Sequence, residues 1–242
     1  VTAEGVRITD KGDWHGDEVV LADPAQNRAR IQQAIEVARG ADAIVLAIGG
    51  NGATSREAWA DNHLGDRASL DLIGEQNELA RAMFALGKPV VVVLIHGRPN
   101  SVVEIAEKAN AIVEAWYPGQ EGGTALAAIL FGDANPGGKL PITIPPSAGH
   151  VPQAYNSKAS SHPGYLFDSK EPLFPFGFGL SYTTFELGAP VLSASRIGKN
   201  GSVTVKVDVR NTGKMAGDEV VQLYLRALVS SVTRPVKELR GF

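Results

Sequence analysis

Apolar residues change their spacing partway along this 242-residue chain. As far as about residue 145 they form helical repeats and short unbroken runs. Arg28 to Arg39 sets Ile31, Ala34, Ile35 and Ala38 on one face of a helix. Ala43 to Ile48 is a continuous apolar run of strand length, ending in Gly49-Gly50. A second helix is predicted over Leu70 to Leu86, with Leu72, Leu79, Ala82 and Met83 inward and Gly87 as its C-cap. The series continues with a strand at Pro89 to Ile95, a helix at Ser101 to Ala109 and a strand at Ala111 to Trp116. A helix at Thr124 to Phe131 and a strand at Leu140 to Ile144 complete it. Strands without polar alternation, separated by helices, predict a parallel sheet covered on both faces. Ligands bind beyond the carboxyl ends of such strands. Three loops lie there: Gly49 to Gly65, His96 to Ser101 and Tyr117 to Gly123.

Residues 146 to 188 lose this periodicity and are rich in Pro, Gly, Ser and aromatics, as in a functional loop or an interdomain wrap. From about Val191 the period becomes two: Val203, Val205, Val207 and Val209 alternate with polar residues. Asn211-Thr212-Gly213 makes a turn, and Val220 to Leu225 follows as another strand. This is an immunoglobulin-like or fibronectin type III pattern, with about four or five of the seven strands of such a sandwich. The expected plan is a connector at 1–25, an α/β domain at 26–150, a long loop at 151–188 and a partial β sandwich at 189–242. A start at Val1 without an initiator Met, and an end at Phe242 inside a strand pattern, read as a fragment of something longer.

Composition narrows the function classes. Hydrophobic content of 44% with 20% charged residues is that of a soluble globular protein. A net charge of −3 with scattered basic residues argues against nucleic acid as a partner. No apolar run approaches the roughly 18 residues of a membrane span. The chain has no cysteine, hence no disulfide and no thiolate metal site. Its five histidines lack metal-binding spacing such as HExxH, so no metal is expected. Gly49-Gly50-Asn51-Gly52 lacks the GK[ST] ending of a phosphate loop, and no GxGxxG follows the first strand. Ser55 and Ser101 stand in no GxSxG elbow.

One segment is punctuated more densely than the rest. WYPGQEGGTALAAILFGDANPGGKLPITIP, Trp116 to Pro145, alternates Gly and Pro with a helical pattern. It resembles the C-terminal domain of glycoside hydrolase family 3, the β-glucosidase and β-xylosidase family. REAWADNHLGDRASLDL (Arg56 to Leu72), VVVVLIHGRP (Val90 to Pro99) and LFPFGFGLSYTTF (Leu173 to Phe185) agree in order. The resemblance runs from about Ala41 to the last residue. It implies a mostly parallel, six-stranded α/β sandwich followed by a fibronectin type III-like module. It further implies the C-terminal part of a retaining, exo-acting β-glycosidase, a β-glucosidase first, with β-xylosidase and α-L-arabinofuranosidase on the same scaffold. The substrate would be a β-linked glucoside or short oligosaccharide. No metal or organic cofactor is implied, and many relatives are periplasmic or secreted. In the family the nucleophile is an aspartate of an N-terminal (β/α)8 barrel. Nothing here reads as that barrel, whose usual size is about 250 residues. This chain alone is therefore expected to give negligible turnover.

The family's general acid/base is a glutamate in the loop after the first strand, and Glu57 in Ser55-Arg56-Glu57-Ala58-Trp59 holds the matching place. A retaining glycosidase needs two carboxyl groups roughly 5–5.5 Å apart across the scissile bond. The acid must keep its proton near neutral pH, which a partly desolvated site favours; Ala58, Trp59 and Ala60 are its candidate apolar wall. Trp59, His63 and Arg98 are the candidate substrate contacts, although a buried structural pair is the stronger reading of Arg98. Asp61 and Asp66 are rival carboxylates. Asp66 is expected to cap the following helix or pair with Arg67, which would spoil it as an acid. Glu121 is expected to be structural, at a helix N-terminus. Relatives often carry a glutamate shortly after the glycine of this strand, and Gly50 stands there in this chain. The competing reading is a non-catalytic carbohydrate-binding or structural module.

Overall fold

A computed structural model of the chain describes residues 6–8, 19–21, 23–55, 66–158 and 164–242. Its first elements are short antiparallel strands, β1 (Val6–Ile8) and β2 (Val19–Leu21). Helix α1 (Pro24–Arg39) begins a turn earlier than its apolar face alone predicts. Asp23 caps it, its carboxylate accepting the Ala25 N–H at 2.8 Å, and Pro24 opens the helix where a missing N–H is harmless.

The sheet that follows is the parallel α/β unit expected. Strands β3 (Ile44–Gly49), β4 (Val90–Ile95) and β5 (Ala111–Glu114) lie in that order, in register from Ile44 beside Val90 and from Val91 beside Ala111. Between β3 and β4 come a short helix α2 (Gly52–Ser55) and α3 (Gln76–Phe84); α4 (Val103–Lys108) connects β4 to β5. The central strand β4 buries Val90, Val92, Val93 and Leu94. With Ile44, Leu46 and Ile48 of β3, Ala80 and Met83 of α3, and Val102 and Ile105, they form the core. Glu104 of α4 accepts Lys108 Nζ at 2.9 Å and Arg81 Nε at 2.6 Å, and these two cations hold its carboxyl below the usual range.

Three local expectations are corrected. The edge strand β3 is covered on one face only among the described residues: Val45 is 57% exposed, so its unbroken apolar run does not mean two buried faces. The second helix starts at Gln76, not Leu70. Asn100 Nδ2 ties up the Leu70 and Asp71 carbonyls at 2.9 and 3.2 Å, and Gly74 at φ 57 breaks the helical path. Asp66 therefore precedes no helix to cap. The strand expected at Leu140 to Ile144 is a proline-interrupted ribbon. The backbone of Leu140 pairs with Gly177 and Phe178, and that of Ile144 pairs both ways with Phe174. Pro141, Pro145 and Pro175 have no N–H to extend the ladder. The sheet thus has three strands among the described residues, where the resemblance implies six.

Helix α5 (Gly122–Phe131) ends on Gly132 at φ 80, a left-handed stop. Beyond the ribbon the chain runs through a 3₁₀ turn at Ala148–His150 into antiparallel ladders. Strand β6 (Phe185–Leu187) pairs with β9 (Val209–Asn211), and β7 (Val191–Leu192) with β8 (Val205–Lys206). Strand β10 (Leu223–Leu225) pairs with β11 (Glu238–Gly241) across a bulge. Asn211 makes the expected turn, its Oδ1 accepting the Gly213 N–H at 3.0 Å. LFPFGF packs toward this region: Phe176 stacks on Tyr155 at 4.2 Å, and Tyr155 meets Tyr224 edge-on at 6.1 Å.

Candidate active site

The carboxyl ends of β3, β4 and β5 converge, and the residues that make the turns are constrained in kind. Gly49 ends β3 at φ 146, with no room for a Cβ against the Ile95 carbonyl of β4. Gln76, on the first turn of α3, then locks that glycine from both sides. Its Oε1 accepts the Gly49 N–H at 2.7 Å, and its Nε2 donates to the Gly49 carbonyl at 2.8 Å and to Ile73 at 3.0 Å. Asn51 and Thr54 cap the short α2 reciprocally, Asn51 N–H to Thr54 Oγ1 at 2.9 Å and Thr54 N–H to Asn51 Oδ1 at 3.0 Å.

The loop after β4 is fixed from below by His96, which is 1% exposed. Its Nδ1 donates to the Arg98 carbonyl, and its Nε2 faces the Glu114 carboxylate, 2.8 Å from Oε1. Both ring nitrogens thus meet oxygen acceptors, which fixes the orientation of the ring. Trp116 stacks on the His96 ring, centroids 5.3 Å apart, with its backbone at φ 49. A bulky residue in the left-handed region is strained, and surrounding contacts must hold it there. Asn100 and Ser101 tie the same loop to the stretch after residue 65: Ser101 N–H donates to the Leu70 carbonyl at 2.8 Å.

Of the candidates from sequence, Glu57, Trp59, Asp61 and His63 lie outside the described residues. Arg98 is described; it sits at the carboxyl end of β4 and is 4% exposed, its side chain within the body of the loop. Glu121 directly precedes α5, as expected, and its carboxylate lies 3.5 Å from Thr124 Oγ1. Sequence reasoning missed Glu114, Trp116, Tyr117, Ser55 and Gln76. Glu114 had a usable signal, a lone carboxylate in the apolar run Ala111-Ile-Val-Glu-Ala-Trp116. Ser55 and Gln76 had none, because their partners are 42 or 62 and 27 residues away. No group of three His, Asp or Glu that could hold a metal is found among the described residues. No helix among them is long and apolar enough to cross a membrane.

A parallel sheet whose carboxyl-end loops are braced against one another is an α/β scaffold built to hold ligand-facing loops. The profile of the glycosyl hydrolase family 3 C-terminal domain matches residues 7–182, and that of the fibronectin type III-like domain matches residues 219–242. The chain belongs to glycoside hydrolase family 3. It is 50% identical over 214 residues to a β-xylosidase of Formosa agariphila, covering 87% of this chain and 29% of that protein. It is 40% identical over 256 residues to a periplasmic β-glucosidase of Salmonella typhimurium, covering 99% of this chain and 33% of that one. A solved β-glucosidase from Erythrobacter marinus superposes with a TM-score of 0.89 at 51% identity, over 95% of this chain and 31% of that chain. The chain thus spans about a third of the length of the curated relatives it matches.

Proposed function

We propose that this chain supplies the general acid/base to a retaining, exo-acting β-glycosidase, a β-glucosidase first, whose nucleophile lies on an N-terminal (β/α)8 barrel of the same protein. The observation that carries the reading is the origin of the Glu57 loop. It leaves the carboxyl end of β3 and is anchored at Ser55 to the loops after β4 and β5, in a chain of this hydrolase family. In the first step the barrel aspartate attacks the anomeric carbon while the Glu57 carboxyl gives its proton to the departing glycosidic oxygen. In the second, the Glu57 carboxylate takes a proton from water, which displaces the aspartate and releases the sugar. Trp59, His63 and Arg98 are proposed to line or brace the sugar site. The substrate is a β-linked glucoside or short oligosaccharide, and the location periplasmic or secreted, as in the Salmonella relative's name.

The test is Glu57→Ala in the barrel-containing parent protein. Turnover of substrates with poor leaving groups is expected to fall about 10²–10⁴-fold. Activated aryl glycosides and added azide should recover part of the loss; unchanged kinetics on every substrate would eliminate Glu57. Similarity to a β-xylosidase favours a second glycone. Comparing nitrophenyl β-glucoside, β-xyloside and α-arabinofuranoside decides between them. Turnover by the 242-residue chain alone would place the nucleophile within these residues and overturn the shared-site reading.

A further inference from the structure

All three carboxyl-edge loops meet at one side chain. Ser55 Oγ accepts the Tyr117 O–H at 2.8 Å and the Gly97 N–H at 3.3 Å. Tyr117 belongs to the loop after β5, Gly97 to the loop after β4, and Ser55 closes α2 after β3. The tyrosine ring lies directly against Gly97: a Cβ there would stand 2.5 Å from Tyr117 Cε2 and 3.1 Å from its hydroxyl. Glycine at position 97 is therefore a condition for the tyrosine to reach the serine. Tyr117 nevertheless stays 49% exposed, so it does little as a core residue. A half-exposed hydroxyl pair contributes only about 1 kcal/mol to folding. Its consequence is local: Ser55 stands two residues before Glu57, and two residues of chain reach at most about 7 Å.

We propose that Tyr117 and Ser55 are positioning residues, a latch that fixes where the Glu57 loop leaves the sheet and so sets the proton-transfer geometry. This rests on the reading of Glu57 as the acid/base. A displacement of about 1 Å at such a group is enough to lower the rate tenfold or more. Tyr117→Phe keeps the ring on Gly97 and removes one O–H; Ser55→Ala removes the shared acceptor.

The experiment measures kcat/KM of both variants in the barrel-containing parent, on an alkyl β-glucoside and on dinitrophenyl β-glucoside. The alkyl substrate needs a proton at its leaving oxygen, and its kcat/KM is expected to fall about tenfold. The dinitrophenyl substrate needs none, so its kcat/KM should stay within about twofold. The thermal midpoint should stay within a few degrees, roughly the shift expected from one lost surface hydrogen bond. In a Glu57→Ala background, Tyr117→Phe should add no further loss, because the group it positions is gone. Equal losses on both substrates, or losses that multiply in the double variant, overturn the latch. If Glu57→Ala alone leaves the alkyl substrate untouched, the acid/base assignment fails instead, and the two failures are told apart.

Discussion

The carboxyl edge of the parallel sheet and the C-terminal ladders are both built from short segments, yet they are held by different means. At the edge, Gly49, His96, Arg98, Asn100 and Ser101 stand over a buried core, and bonds such as Ser101 Oγ to the Pro145 carbonyl at 3.0 Å add to it. From residue 184 onward no residue is buried. Val209 is 44% exposed, Leu225 54% and Val191 64%, each on a different two-stranded ladder. Ladders of two to four residues bury too little to stand alone. Polar contacts at the seam add to the ring contacts of Tyr155 with Phe176 and Tyr224. Asn135 Nδ2 donates to the Ala216 carbonyl at 3.0 Å, Lys139 pairs with Glu219 at 3.2 Å, and Gln222 Nε2 donates to the Gly177 carbonyl at 3.0 Å. An active-site edge needs positions fixed to a fraction of an ångström, and burial provides that.

The sharpest way to break this contrast is substitution by alanine in both regions. Gly49→Ala forces a Cβ onto the Ile95 carbonyl at φ 146, and is expected to destabilise by at least about 3 kcal/mol. Ile105→Ala empties a site that is 2% exposed and should lose about 2–5 kcal/mol. Leu225→Ala, removing a half-exposed side chain from a ladder, should change stability by only about 0.5 kcal/mol. Denaturant midpoints with unchanged slopes measure all three. A Leu225→Ala effect as large as that of Ile105→Ala would mean that the ladders carry a core of their own.

The same contrast explains what was legible in the sequence. Unbroken runs such as Val90 to Ile95 announced β4, and helical spacing announced the inward face of α1, because burial leaves a periodic trace. The run in β3 misled about its second face, since an edge strand and a central strand can read alike. Leu140 to Ile144 misled because the pattern counts side chains, whereas Pro141 and Pro145 act through missing donors. The β period of Val203 to Val209 was readable, but its pairing broke into β8 and β9, on two different ladders. At the site, the loop positions were visible as strand ends. The hydrogen bonds that brace them were not, because a bond such as Tyr117 to Ser55 depends on two chain ends meeting and leaves no local signature.

A smaller effect sharpens the seam. Gln222 joins both sides, donating from Nε2 to the Gly177 carbonyl and accepting the Tyr224 O–H at Oε1, 2.5 Å away. Gln222→Ala should destabilise by roughly 1–2 kcal/mol. The loss should concentrate in hydrogen exchange of the β10–β11 pair and leave Val90–Ile95 protected. Equal loss of protection in β4 would join the two regions into one cooperative unit.

The smallest expected effect is a pH dependence carried by Tyr224 in the same seam. Burial, and then the neighbouring Tyr155, raise the Tyr224 phenol above its ordinary 10.0. The folded state therefore holds this proton more tightly than the unfolded chain does. The contribution is fully present below about pH 10, where both states are protonated. As pH rises past that value the unfolded phenol ionises first, and stability is lost until the folded phenol ionises too. Denaturant midpoints between about pH 9 and 11 should fall faster for the native chain than for Tyr224→Phe, whose seam has no proton to lose. The other four tyrosines are the same in both proteins, so the difference between the slopes isolates Tyr224. Parallel slopes would mean that water reaches the ring as freely in the folded seam as in the unfolded chain, and the seam would then be held by Gln222 and Lys139 without any apolar shelter.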